Sequence, residues 1–498
     1  MQTISNKKQL KVLASMLIGL LVLGGCTMAP SYERPDMPVD GSFPEYEQYK
    51  GVGAGDSKVV RQSKKDEEES EKASEEKPAN GLQGWREFYA DPNMQRLVEF
   101  ALDNNRDLRL ALLNVENTRA LYQIQRSDLF PTIAAGGSAA NQRTRTFQEP
   151  LAPASAVARR YNLSVGITSY EVDLFGRVRS MNNSAFETYL ASGHAAYSAQ
   201  ISIISEVAGL YLQLVAYKEQ YELTKRTYAS RQESYSMVEA MYKQGLSSQL
   251  TLNQAKTAVE EARVNAVNLY TNVLQLENAL IMLLGGPIPE DVKIPARLAD
   301  VKKLGDVPAG LPSSLLERRP DILQAEHQLL SANANIGAAR ASFFPTISLT
   351  GSLGYISGDL DDLFKKDSRT WNFTPQIGLP IFTGGALVAG LESATIRRDM
   401  AVATYEKAIQ SAFREVADAL AQRSTINEQL EATKSLRDAS KQSYDISNVR
   451  YEIGMDSFMN VLDAQRMLFT AEQGYINSEL QKEINSINLY KSLGGGWQ

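Results

Sequence analysis

The chain has 498 residues, a net charge of −6 at pH 7, one cysteine and two histidines. The acidic balance argues against a nucleic-acid partner. One cysteine cannot form an intrachain disulfide, and with only two histidines a histidine–cysteine metal site is excluded and a histidine-based catalytic triad has little to draw on.

Residues 1–25 read as a secretory signal peptide: Lys7, Lys8 and Lys11 precede an apolar run over 12–23 that is too short to span a membrane, and small residues follow. The stretch "LGGC" that ends at Cys26 resembles a lipobox, the cleavage site of bacterial lipoproteins. Cys26 would then become the N-terminus and carry acyl chains that hold the protein to a bilayer. The resemblance implies outer-membrane sorting, because Thr27 stands where an aspartate would favour the inner membrane. Past the signal no apolar run reaches eighteen residues, so no transmembrane helix is expected. Residues 26–84 form a lipidated N-terminal segment whose 57–80 stretch is polar, charged and of low complexity, a loose tether. Order is expected to begin at Trp85.

From there the first strand signal starts at Ile133, the last residue of "LFPTI", where Pro131 ends a helix and starts a strand. In "YNLSVGIT", Tyr161, Leu163, Val165 and Ile167 alternate with polar or small residues. A helix then runs from Gly176 to Gly245, about 100 Å at 1.5 Å per residue, and needs long helical partners. Ile204, Ala208, Tyr211 and Val215 make its apolar stripe.

The pattern then returns about 209 residues on. "FFPTI" at 343–347 repeats "LFPTI" at 129–133, "REVAD" repeats "SEVAG", and "SLGGG" repeats "LLGG". In "ISLTGSLGY" and "WNFTPQIGLPI" apolar residues alternate with polar ones, with Trp371, Phe373, Ile377, Leu379 and Ile381 on one face. "GGALVAG" lacks the lysine and hydroxyl residue of a phosphate loop and reads as a strand-to-helix turn. Ile409, Phe413, Val416 and Leu420 mark the next helix, which breaks at Gly454. His327, in "LQAEHQLL", reads as a surface or packing residue of a helix. The organisation is thus one repeat over 85–286, a proline-rich connector over 287–310 and a second repeat over 311–498.

Strands of about ten residues with one apolar face fit transmembrane barrel strands as well as a soluble half-buried hairpin. Four strands per chain cannot close a barrel, and open edges are not tolerated in lipid, so chains must combine. Two chains would make an eight-stranded barrel filled by its own side chains, whereas three would leave a duct. Gly245 and Gly454 each sit where a helical hairpin reverses, at a position that favours the left-handed conformation.

These residues carry a resemblance. The chain from Trp85 to Gly496 resembles the outer-membrane efflux proteins, the TolC family, in the lipoprotein branch that serves resistance–nodulation–division drug pumps. It is carried by Trp85, Phe88, Asp91, Pro92, Leu97, Ala101, Asn105 and Leu108, by "LLERRPDI" at 315–322, by "YEVDLFGR" at 170–177, by "VLDAQR" at 461–466 and by "NLYKSLGGGW" at 488–497. The resemblance implies an α+β membrane protein, a homotrimer. A 12-stranded β-barrel, four strands from each chain, would continue as a 12-helix periplasmic α-barrel, and the connector would join an equatorial belt. It implies a passive export duct for drugs and small molecules, with no catalytic residues, no metal and no cofactor beyond the lipid on Cys26. A periplasmic adaptor (membrane fusion protein), an inner-membrane transporter and outer-membrane lipid are the implied partners. The tips at Gly245, Leu246, Gly454 and Met455 would meet the adaptor. Asp463 matches the family's constriction aspartate, Met459 its apolar constriction position, and Arg466 a nearby basic residue. Asn460 stands where other branches carry a second acid, so one acidic ring is expected. Gln254 occupies the place of Asp463 in the first repeat. A duct for secreted protein or for metal ions, a coiled-coil scaffold that conducts nothing, and an envelope hydrolase are the competing readings. The scaffold would lack amphipathic strands, and the hydrolase would need an acid, base and nucleophile cluster that the sequence does not display.

Overall fold

Four strands form one antiparallel sheet in chain order: Ile133–Thr146 (β1), Ala154–Val172 (β2), Thr346–Ser357 (β3) and Arg369–Gly378 (β4). They are seen in a computed structural model that describes residues 27–44, 46, 84–146, 154–307 and 313–495. The signal peptide, Cys26 and the 57–80 tether lie outside the described residues. The helices are Trp85–Phe88 (α1), Pro92–Asn104 (α2), Arg106–Ser127 (α3), Arg177–Lys243 (α4), Gln249–Leu284 (α5), Pro320–Ala341 (α6), Ala386–Glu452 (α7) and Phe458–Ser492 (α8). The chain divides into two compact units, each drawing on both halves of the sequence.

The first unit holds the sheet, with residues from Met1–Asp36, Leu113–His194 and Leu323–Lys407. The period-two alternation in the sequence becomes one continuous apolar face, because the register puts like residues side by side. Val165 pairs with Leu353 and Leu353 with Trp371; Ile133 pairs with Ile167, and Ile347 with Ile377. This face is bare: Trp371 is 75 % exposed, Ile377 69 % and Phe373 61 %. The opposite face carries Asn162, Ser164, Ser352, Asn372 and Thr374. β4 ends at Gly378, so Leu379 and Ile381 lie beyond the strand that their alternation suggested. β3 begins at Thr346, which pairs with Gly378, so β4 has no partner strand beyond that point.

Order does not begin at Trp85. Residues 27–44 are described, and the N-terminal part of this segment lies along α6. Arg34 donates from Nε and Nη2 to both carboxylate oxygens of Glu326, at 2.8 and 2.6 Å. The Tyr32 hydroxyl donates to the same carboxylate at 3.1 Å, and Asn333 donates to the Pro30 carbonyl at 2.9 Å. Gly337 faces Ala29 so closely that a Cβ there would come within 2.6 Å of its backbone nitrogen. These are contacts between residues far apart in sequence, which no local pattern announces.

The second unit takes residues from Met37–Leu112, Ala195–Ile322 and Ala408–Gln498. Its core explains the sequence signatures. Asp91 caps α2 by accepting from the Asn93 and Met94 amides, with Pro92 at the first helical position, and also accepts from the Tyr211 hydroxyl. Phe88 stacks on Tyr490 with ring centroids 3.9 Å apart. Buried Arg319 ties the C-terminal end of α8 to the "RRPDI" turn, donating to the Ser492 carbonyl at 2.5 Å and pairing with Asp321 and Glu415. α4 carries an apolar window long enough to cross a membrane, but 61 % of it is buried inside the fold, so packing accounts for it.

Candidate channel tip and membrane belt

Both hairpin turns belong to the second unit and share one geometry. Gly245 and Gly454 adopt φ of 75° and 78°. The Leu246 amide donates to the Met241 carbonyl and the Met455 amide to the Arg450 carbonyl, each at 2.8 Å. The glycine amides reach Tyr242 and Tyr451 carbonyls at 2.9 Å. Each turn is therefore a Schellman motif, which satisfies the last carbonyls of α4 and α7. Leu246 and Met455 are exposed at the turns. Ser248 caps α5 by accepting from the Thr251 amide, whereas Ser457 makes no side-chain cap to α8.

The two hairpins are joined by a small apolar core. Val238 of α4, Ala255 of α5, and Phe458 and Val461 of α8 are buried together, with Tyr235, Leu252, Tyr444, Tyr451 and Leu462 against them. This core decides which face of α8 is free. Phe458, Val461, Ala464 and Gln465 are buried, and Gln465 donates to the Ser230 hydroxyl at 3.3 Å. Met459, Asp463 and Arg466 stand on the other face, at helical spacing; Met459 and Arg466 are exposed and Asp463 half-buried. The sequence grouped these three residues, and the structure brings them together. In the first hairpin the matching positions hold Leu250, Gln254 and Thr257, with no charge.

The structure adds a pair that the sequence reading did not single out. Arg450 Nε donates to Asp456 Oδ2 at 2.5 Å across the second turn and holds that carboxyl below its usual range. Met241 and Ser247 occupy the equivalent places in the first turn, so only the second tip carries this link. His327 is a packing residue, as expected, with a partner the sequence does not announce. In the first unit it stacks on His194, rings 5.1 Å apart, and its Nδ1 lies 2.6 Å from Glu187. Among the described residues no group of three or more metal-ligating side chains comes together.

The family model "Outer membrane efflux protein" matches residues 97–286 and 311–495. The probable efflux pump outer membrane protein TtgC of Pseudomonas putida is 44 % identical, over 98 % of this chain and 96 % of that protein. Outer membrane protein OprJ of Pseudomonas aeruginosa is 40 % identical, over 97 % of this chain and 95 % of its own length. Among solved structures, a membrane protein from Pseudomonas aeruginosa superposes with a TM-score of 0.81 at 39 % identity, covering 95 % of this chain and 98 % of that one. The open state of the Neisseria gonorrhoeae MtrE outer membrane channel gives 0.80 at 36 % identity, covering 95 % and 99 %.

Proposed function

Because this chain belongs to the outer membrane efflux protein family, we propose that three copies of it close one twelve-stranded barrel in the outer membrane and continue it as a periplasmic tunnel of helices. The chain is the outer-membrane component of an efflux pump, a passive channel with an α+β channel fold and not an enzyme. It works with the pump's adaptor and inner-membrane transporter. In this reading the inner-membrane transporter is of the resistance–nodulation–division type. The exported cargo is drugs and small apolar molecules, in keeping with relatives named for toluene and antibiotic efflux. Cys26 carries the lipid anchor, and conduction needs no cofactor. The turns at Gly245 and Gly454 meet the adaptor, and three copies of Asp463 ring the periplasmic aperture beside Met459.

One observation supports this reading most directly: the sheet order β1-β2-β3-β4 leaves β1 and β4 as open edges, beside an apolar face that is bare to its surroundings. Open edges inside a hydrocarbon layer leave backbone groups unsatisfied at several kcal/mol each, so the edges must find partners in other copies. The bare apolar face is what a non-conducting coiled-coil scaffold would lack. Light scattering on the full chain purified in detergent tests the assembly. Three chains per particle are expected, and a monodisperse monomer would overturn the closed barrel.

A further inference from the structure

The register carries the bare face of the sheet beyond its apolar rows. On β1 the face of Ile133 and Ala135 continues to Asn141 and Arg143. On β2 it runs from Ile167 through Val165, Leu163 and Tyr161 to Arg159, which pairs with Asn141. On β3 and β4 it runs through Leu353 and Trp371 to Tyr355 and Arg369, which pair with each other. On β2 and β4 the face therefore turns from apolar to aromatic and then to arginine, while β3 passes from Leu353 through Tyr355 to Ser357. Arg143, Arg159 and Arg369 are exposed, and among the described residues none of them has an ion-pair partner. At the other end of the sheet the arginines are paired, Arg177 with Glu171 and Arg179 with Asp173.

The spacing places these arginines at a definite depth. Ile133 to Arg143 is ten residues of β1, and Ile377 to Arg369 is eight of β4. At about 3.4 Å per residue and a tilt of about 40° these rise about 26 and about 21 Å, close to the apolar band of about 25 Å of a membrane barrel. The arginines lie at the ends of the strands away from α3, α4, α6 and α7. With the helices in the periplasm, that end meets the outer leaflet, just past a row of Tyr161, Tyr355 and Trp371 that suits an interfacial aromatic belt.

We propose that Arg143, Arg159 and Arg369 form a phosphate-binding belt that seats the barrel among the phosphorylated glycolipids of the outer leaflet. The proposal rests on the barrel reading above. Guanidinium groups bind phosphate oxygens in a bidentate fork, and basic groups at an anionic leaflet each add to membrane affinity. Arg160 provides an internal control: it is exposed but pairs with Ala140 and so belongs to the opposite face.

The test measures retention of lipid A, and of lipid A stripped of its phosphates, by native mass spectrometry on the detergent-purified full chain. The wild type should hold lipid A at least tenfold more tightly than the dephosphorylated form, with a preference that fades as salt rises. Each of R143Q, R159Q and R369Q should weaken binding about fivefold, and R160Q should leave it near the wild-type value. Equal binding of the two lipids by the wild type would overturn the proposal. So would wild-type retention in the triple variant, or an R160Q effect as large as that of the triple. If the triple variant does not assemble, the two-lipid comparison on the wild type and single variants still decides. The same spectra report chain number, so loss of the trimer reading is seen separately from loss of the belt.

Discussion

Arg466 donates from Nη2 to Oδ1 of Asp463 at 2.5 Å, one helical turn away on the bare face of α8. The proposed aperture therefore carries each acid with a base beside it. Both side chains are substantially exposed, at 44 % for Asp463 and 67 % for Arg466, so the pair contributes little to stability and its consequence is electrostatic. In the proposed trimer the field at the aperture would be that of three partly compensated carboxylates, screened within about 8 Å at physiological salt.

Removing the base should uncover the acid. In Arg466→Ala the cation preference of the channel and its block by multivalent cations should rise above those of the wild type, most at low salt. Reversal-potential measurements in salt gradients check this. A variant with unchanged or weaker cation preference would mean that the pair does not face the ion path.

The glycine turns should respond to substitution through backbone conformation alone. No atom lies within 4 Å of where a Cβ would stand at Gly245 or Gly454. Gly454→Ala must still adopt a left-handed conformation, at a cost of about 1–2 kcal/mol, and Gly245→Ala should cost about the same. Amide exchange at the residues after each turn should quicken by roughly tenfold in the corresponding variant, and less with asparagine at the same site. Unchanged exchange would show that the turns tolerate alanine and that the glycines serve another purpose.

Much of this arrangement is legible in the sequence, for reasons that particular residues make plain. Trp371 and Phe373 advertise β4 because the period of two survives folding, and Gly245 and Gly454 advertise their turns because few other residues accept a positive φ. That Met459, Asp463 and Arg466 share the free face of α8 follows from helical spacing once Phe458 and Val461 are known to be core, whereas a constriction there is what the family resemblance implies. What stayed hidden depends on distant partners. Tyr32 and Arg34 carry no periodic signal and find their partner, Glu326, on α6, almost three hundred residues away. His194 and His327 stack although nothing local links them. The belt of Arg143, Arg159 and Arg369 emerges only from strand register, since each arginine alone is an ordinary exposed residue.

The histidine pair gives a pH dependence with a definite sign. Burial, and then the neighbouring His327 ring, push His194 below the ordinary histidine range, while Glu326 opposes that shift. Glu187 faces the pair from the His327 side. A histidine depressed in the folded state is protonated more readily when unfolded. Its contribution is thus fully present above about pH 6.5 and lost as pH falls through the lower folded value. Thermal unfolding followed from about pH 7 to 5 should show a shallower decline in His194→Gln than in the wild type. Identical slopes would remove His194 from the account.

The anchor should be separable from the barrel. Intact-mass spectrometry of protein taken from membranes should find acyl chains on Cys26, and Cys26→Ser should lack them. The sheet does not depend on the lipid, so the variant should still insert and assemble. An unmodified Cys26 in the wild type, or cleavage elsewhere, would refute the lipoprotein reading.

The most direct test of the duct is planar-bilayer recording of the purified chain alongside Asp463→Ala and Gln254→Ala. Discrete cation-preferring conductance steps are expected from the wild type. Asp463→Ala should weaken both the cation preference and the block by multivalent cations, because it removes the acid that the second hairpin alone provides. Gln254→Ala, at the matching site of the first hairpin, should change these far less. Absence of conducting steps, or two variants that behave alike, would contradict an export duct gated at Asp463.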